Sequence, residues 1–306
     1  MDPLSDILSL LKPQSYSFRA LEASGKWSIQ FPANEGIRCY ALLSGQCWLV
    51  IEGVPEAIRF AAGDCILMTK KQSFRMASDV NMTPIDGVAF FSATKQGGVA
   101  TCNGGRDVTG IGGYFEITGK YAAVLLSLLP AIVHIRKESS RAALWVSMEL
   151  MMEELREPQP GGYVVAQQIS QMMLVQALRL HPSDGERAGV GWLFALADRQ
   201  MGAAINAMHD DPGQPWTLQA LAERACMSRS TFAQKFKDIV GTSPMEYLIR
   251  WRMLLAENKL ANSKESIYDI ALSLGYESES SFSTAFKRVV GCAPRQYSRS
   301  RINVTN

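Results

Sequence analysis

Histidine is scarce in this chain of 306 residues: it has three, His134, His181 and His209. None falls between residues 27 and 91, where the sequence reads as strands. That excludes a barrel enzyme holding a metal on two or three histidines and a carboxylate. No Ser/His/Asp or Cys/His arrangement converges, so no catalytic residue, metal or cofactor is expected. The six cysteines, Cys39, Cys47, Cys65, Cys102, Cys226 and Cys292, include no CxxC pair. Their scatter fits a reduced, cytoplasmic chain better than a disulfide scaffold. No uncharged apolar run reaches about 18 residues, so no membrane span is expected. The opening MDPLSDILSLLKPQ carries acids early and lacks a cleavage-like end, unlike a signal peptide. A net charge of +2 excludes a polycation. The glycine-rich run at 95–113 has no GKS/T ending and is not set between a strand and a helix, so it makes no phosphate loop; it reads as a mobile loop.

One segment is written twice. Residues 228–247, SRSTFAQKFKDIVGTSPMEY, and 278–297, SESSFSTAFKRVVGCAPRQY, share nine of twenty positions at an offset of 50. A repeat of this length means two copies of one supersecondary unit. Each copy starts with a serine cap, has two phenylalanines four apart and ends at a glycine. Preceded by a short helix and a turn, this is the pattern of a helix-turn-helix, whose second helix enters the DNA major groove. Charge is distributed accordingly. From Asp198 onward there are 14 Lys/Arg against 11 Asp/Glu, whereas the rest has 17 against 18.

The length favours two domains. In 27–91, short runs rich in β-branched, aromatic and cysteine residues alternate with turn signals, which predicts a small barrel or sandwich. From Gly119 the period becomes helical through KYAAVLLSLLP, SRAALWVSMELMMEELRE and VVAQQISQMMLVQALRLH. Their methionines, Met148, Met151, Met152, Met172 and Met173, suit a core, a homodimer seam or an effector wall. Residues 1–180 are read as one domain, 181–193 as a linker and 194–301 as an all-α domain. The latter opens with a helix from Phe194 to His209, and Pro244–Leu260 forms a longer helix joining its two repeats.

The residues PWTLQALAERACMSRSTFAQKFKDIVGTSPMEYLIRWRM and IYDIALSLGYESESSFSTAFKRVVGCAPRQY closely resemble the AraC/XylS family of bacterial transcription regulators. Upstream, DPLSDILSLL, IRCYALLSGQCWLVIEG, FAAGDCILM and LLSLLPAIVHIR are similar to the cupin-type sensor domain of one AraC subgroup. The resemblance implies an α+β chain: an N-terminal cupin-like β-barrel with dimerisation helices, then two helix-turn-helix units joined by a long helix. It implies a homodimer on double-stranded DNA, contact with RNA polymerase and a small-molecule effector inside the barrel. Two other readings are weighed beside it. A cupin enzyme lacks its histidines, and an alkyl-transfer repair protein lacks its clustered cysteines.

Within each unit, Leu221, Phe232 and Phe236, and Ile270, Phe282 and Phe286, form the helix-turn-helix core. The opposite faces then point outward. Base-reading candidates are Ser230, Thr231, Ala233 and Gln234 in the first unit, and Glu279, Ser280, Ser283 and Thr284 in the second. Gln pairs bidentately with adenine, Glu accepts from cytosine, Ser and Thr are permissive, and Ala meets a thymine methyl. Arg229, Lys237, Lys287, Arg288 and Arg295 are the phosphate candidates. The first turn carries Cys226 where the second has Gly275, and it is one residue shorter. If positive φ is needed there, cysteine is strained, and the two turns can differ in backbone. In the barrel, Tyr40 and Trp48 are candidates to line an effector pocket, with Trp27, Phe31 and Phe60. Cys39, Cys47 and Cys65 are either buried packing residues or thiol sensors, the latter requiring accessible, low-pKa thiols.

Overall fold

A computed structural model describes residues 2–11, 15–94, 98–116, 129–136, 142–180 and 191–302. The expected helix over 120–130, apart from its last two residues, and the linker core at 181–190 lie outside these residues. The chain divides into two compact units. Among the described residues, no helix is long and apolar enough to cross a membrane.

The first unit is built on eleven strands: β1 (Ser15–Ala23), β2 (Ser28–Phe31), β3 (Ile37–Ser44), β4 (Gln46–Ile51), β5 (Ile58–Ala61), β6 (Cys65–Met68), β7 (Phe74–Ala77), β8 (Ile85–Asp86), β9 (Val99–Cys102), β10 (Val108–Glu116) and β11 (Ile132–Ile135). They form two sheets, ordered β11-β6-β3-β10-β1-β9 and β5-β4-β7-β2-β8. Among the described residues no ladder joins the two, so the expected closed barrel is corrected to a two-sheet cupin-like domain. The inner faces share one core: Leu21, Leu42, Ile66 and Met68 from one sheet meet Ile29, Leu49, Phe60 and Phe74 from the other. Strand alternation puts every second residue into that core.

The glycine-rich run is the second correction. Residues 99–102 and 108–113 lie in β9 and β10, not in a loop. β10 is a central strand, paired with β1 on one side and β3 on the other. Glycine normally weakens a strand, but it is kept where another group approaches closely. Here a Cβ on Gly112 would overlap the Tyr40 ring, and one on Gly110 would lie 2.8 Å from Leu42 Cδ2.

A short helix, Gly87–Ser92, follows β8, and two longer ones, Ala142–Arg156 and Gly162–Leu180, pack together in the same unit. Met148, Met151, Met152 and Met173 are buried; Met172 faces out with Val146, Leu150, Tyr163, Val164 and Val165.

The second unit contains the N-terminal helix Pro3–Leu11 and everything described from 191 on. The first helix, which the expected domain of 1–180 includes, packs on helix Arg199–Asp210. Numbering helices in chain order, Pro3–Leu11 is α1, Gly87–Ser92 is α2, and the pair Ala142–Arg156 and Gly162–Leu180 are α3 and α4. Then come α5 (Trp192–Ala197), α6 (Arg199–Asp210), α7 (Leu218–Arg224), α8 (Arg229–Val240), α9 (Pro244–Asn262), α10 (Ile267–Ser273), α11 (Glu279–Val290) and α12 (Pro294–Ile302). The single helix expected from Phe194 to His209 is broken at Asp198. That residue is extended and its carboxylate accepts the Gln200 and Met201 amides at 2.9 Å each. A local N-cap wins over helical continuity because it satisfies amides that the next helix leaves open.

Candidate DNA interface and effector cavity

The sequence caps form as read. Thr217, Ser228, Ser266 and Ser278 each accept an amide three residues on. Helices α8 and α11 both end at glycines in the left-handed region, Gly241 and Gly291. The two halves match residue by residue. Over 231–238 and 281–288 the burial pattern is the same at every position. Phe232, Phe236, Phe282 and Phe286 are fully buried, each pair in ring contact at 5.6 and 5.5 Å. Burying one such side chain contributes about 1.5–3 kcal/mol, which sets which face of the helix turns inward. Leu221 and Ile270 join them with no exposure. Tyr247 and Tyr297 close the two cores against Phe236 and Phe286, at 5.8 Å in each.

Cys226 has φ +52 and Gly275 has φ +76. The amides of Cys226 and Met227 bond to Glu223 and Ala222; those of Gly275 and Tyr276 bond to Leu272 and Ala271. The same turn is thus made twice, and the one-residue difference falls after it, between Tyr276 and Ser278. The different backbone anticipated for the shorter turn is not found.

The expected DNA faces are outward. Ser230, Thr231, Gln234, Ser280 and Thr284 are exposed, and Ala233, Glu279 and Ser283 half-buried. Among the phosphate candidates, Arg229, Lys237, Lys287, Arg288 and Arg295 are all exposed. Several candidates already have internal partners: Ser230 and Thr231 meet the Ser228 hydroxyl, and Thr284 Oγ1 donates to the Ser280 carbonyl. Gln234 Nε2 donates to Asp238 at 2.8 Å, and Arg295 Nη2 to Glu279 at 3.0 Å. Gln234 Oε1 and the second Glu279 carboxylate oxygen are left out of these contacts.

Sequence reasoning missed what stiffens this unit. Trp192 Nε1 donates to Tyr247 Oη at 2.8 Å; Tyr247 Oη lies 2.7 Å from His209 Nε2; His209 Nδ1 lies 3.2 Å from Asp6. Indole only donates, so the Tyr247 proton is free for His209 Nε2, and Nδ1–H then faces the carboxylate. His209 also stacks on Trp251 at 3.9 Å. Burial pushes the imidazole down to about 3 and raises Asp6. Arg252, buried on α9, donates to the carbonyls of Pro212 and Gln214, both at 2.7 Å. Nothing local in the sequence marks these residues, because their partners lie 38 to 203 positions away.

The strand-rich unit contains a cavity of about 370 Å³. Its wall is the inner face of β1, β10 and β3, where cross-strand register aligns Ser17–Tyr114–Arg38, Arg19–Gly112–Tyr40 and Leu21–Gly110–Leu42. The two glycines leave the room. Phe31, Phe74, Met76, Val88 and Phe91 complete it. Of the aromatics proposed, Tyr40 and Phe31 line this space; Trp48, Trp27 and Phe60 do not. Trp48 faces out at 39% exposure, while Trp27 and Phe60 are core. Arg38 is 2% exposed, donates through Nη1 and Nη2 to the Gln72 and Lys70 carbonyls, and sits 5.4 Å from the Phe74 ring. Burial lowers its pKa.

The cysteines take the packing role. Cys39, Cys47 and Cys65 are buried. Cys39 and Cys65 place their sulfurs 3.9 Å apart. The contact with Cys39, then burial, raises the Cys65 thiol; burial raises Cys47 to about 12. Raised thiols such as Cys47 and Cys65 stay protonated, the reverse of what thiolate sensing requires.

A cupin family matches residues 2–182, and a helix-turn-helix family matches residues 221–300. A protein of Streptomyces lividans described as an AraC-like transcription regulator is 40% identical over 299 residues, 97% of this chain and 98% of that one. The chain belongs to the AraC-type transcription regulators. A Streptomyces antibioticus regulator of the same description is 39% identical over 298 residues, covering 97% and 98%. The DNA-binding domain of the global transcription factor AdpA, solved with a target DNA, is 30% identical across 34% of this chain and 92% of that one, with a TM-score of 0.32. As an AraC-type regulator, the chain pairs an N-terminal, sheet-rich cupin domain with a C-terminal helical DNA-binding domain. Among the histidines of this regulator, His134 meets Asp64 at 3.2 Å and His209 meets Asp6; His181 lies outside the described residues.

Proposed function

We propose that this regulator reads two successive major grooves, one with α8 and one with α11, under control of a small molecule held in the cupin domain. The observation that supports this reading is the position-by-position match of burial between 231–238 and 281–288. It leaves two equivalent outward faces on one rigid pair of scaffolds. Ser230, Thr231, Ala233 and Gln234 read one groove; Glu279, Ser280, Ser283 and Thr284 read the next, about 34 Å along the duplex. Arg229, Lys237, Lys287, Arg288 and Arg295 hold phosphates and fix the register. The α9 helix sets the spacing.

The effector reading rests on the cavity at the glycine stripe of β10. A volume of this size falls in the range of small-molecule sites, about 300–1,000 Å³. A ligand that binds one conformation of the cupin domain better than another shifts the population of DNA-competent molecules. The exposed apolar side chains of α3 and α4 suit a homodimer seam. Contact with RNA polymerase follows from the family. The test is selection of genomic fragments by the purified full chain. A site of about 20 base pairs with two patches one helical turn apart is the expected result. Enrichment of a single patch sinks the two-reader proposal.

A further inference from the structure

The cavity wall carries two guanidiniums whose charge has no counterpart. The Nε atoms of Arg19 and Arg38 are buried without a hydrogen-bond partner. Both side chains line the cavity, from β1 and β3. Arg38 spends Nη1 and Nη2 on backbone carbonyls, which hold it in place but do not neutralise it. Among the described residues, no carboxylate forms an ion pair with either arginine. Arg38 is buried and Arg19 half-buried; a desolvated charge without a counter-charge is costly, and an anion in the cavity would offset that cost. Arginine in particular suits carboxylates, whose two oxygens match adjacent N–H groups.

The rest of the space asks for the opposite chemistry. Phe31 stacks on Phe74 at 4.6 Å, and Tyr40 tilts against Phe74 at 4.9 Å. Phe91 and Val88 continue the apolar side. The register puts Arg19 and Tyr40 on either side of Gly112, so charge and ring share one floor.

We infer that the effector cavity takes an amphipathic organic anion, a monocarboxylate with a compact aromatic or apolar body, its carboxylate read by Arg19 and Arg38. This deepens the effector reading above and rests on it. The body lies against the phenylalanines, where release of water from apolar surface favours binding. The headgroup lies beside the two guanidiniums that line the wall, where little water competes. A neutral analogue of the same shape leaves those donors unpaired, and a cation meets like charge. Discrimination by headgroup should therefore exceed discrimination by small changes in the body.

The test uses the full chain and three probes with one body: 4-phenylbutanoate, 4-phenylbutan-1-ol and 4-phenylbutylamine. Binding is followed by calorimetry. The carboxylate is expected to bind at least about tenfold more tightly than the alcohol, and the amine least. Arg19→Gln, which removes no backbone contact, should cut the preference several-fold while sparing the alcohol, Arg38 keeping the remainder. Gly112→Ala, checked for its fold by circular dichroism, should weaken all three by pushing Tyr40 into the space. Equal binding of carboxylate and alcohol, lost together in Gly112→Ala, overturns the anion inference and leaves the cavity reading standing. So does a carboxylate preference left undiminished by Arg19→Gln. Absence of binding by all three probes at millimolar concentration overturns both.

Discussion

In the first helix pair the turn between α7 and α8 is made by Cys226 at φ +52; in the second, Gly275 stands at the matching place with φ +76. The hydrogen bonds around the two are the same. Their surroundings are not. A Cβ on Gly275 would overlap the Gly213 carbonyl oxygen and lie 2.8 Å from Arg252 Nη2. Cys226 is exposed. The second turn is packed under the Arg252 tie, and only glycine fits; the first lies at the surface, where a strained cysteine is tolerated. The outward faces diverge as well: Gln234 is held by Asp238, Glu279 by Arg295. A duplicated scaffold has thus kept its inside and changed its outside, as expected if the two pairs read different bases.

The comparison can be broken most forcefully at the shared core. Phe236→Ala and Phe286→Ala should each cost about 3–5 kcal/mol, since both rings are fully buried. Thermal unfolding of the full chain measures it. Similar losses sustain the equivalence of the two cores; a loss under about 1 kcal/mol in one would show that its ring is dispensable.

The outward faces come next. Gln234→Ala and Thr284→Ala should each cost about 1–3 kcal/mol of binding to the selected site and relax specificity in opposite patches. Lys237→Ala should instead weaken binding on every sequence and reduce the salt slope by about 1. Footprints of both variants in the same patch would contradict one reader per helix pair.

A smaller effect separates the pairs by pH, because the His209 network touches Tyr247 of the first. His209 in the folded chain stays neutral to about 3, against 6.5 ordinarily. The unfolded chain therefore takes up the proton first. Its contribution is complete above pH 6.5 and is lost as pH falls toward 3. By pH 5.5 the loss should be roughly 1 kcal/mol. Melting temperatures from pH 7.5 to 5.5 should fall in the parent and fall less in His209→Gln. Parallel curves would remove the histidine from the account.

The smallest expected effect is the most telling about the turns. Cys226→Gly should stabilise by up to about 1 kcal/mol by relieving the left-handed strain. Gly275→Ala should destabilise by more than about 1 kcal/mol. Two stability curves decide it, and a destabilising Cys226→Gly would show that the cysteine has a packing role at that surface.

Much of this was legible in the linear chain because the responsible interactions are local. Serine caps, terminating glycines and the phenylalanine spacing act within one helical turn, so Ser228, Gly241, Phe232 and Phe236 announced α8 without help, and the repeat announced α11. The expected DNA faces follow from the same periodicity. The strand-rich half was less legible. Glycines in β10 carry the signature of a loop, and only the neighbours β1 and β3 reveal them as close-approach positions. The three cysteines read first as packing residues and second as sensors, and their burial favours the first.

What the sequence determined by itself, then, is the membership of its two halves and the inward and outward faces of α8 and α11, since these depend on residues a few positions apart. Tertiary structure alone decided that two sheets form in place of a closed barrel, that α1 packs on α6 through Asp6 and His209, and that Arg19 and Arg38 meet at an aromatic cavity. Each of these depends on groups far apart in the chain, brought together by strand register and core packing, which no local pattern encodes.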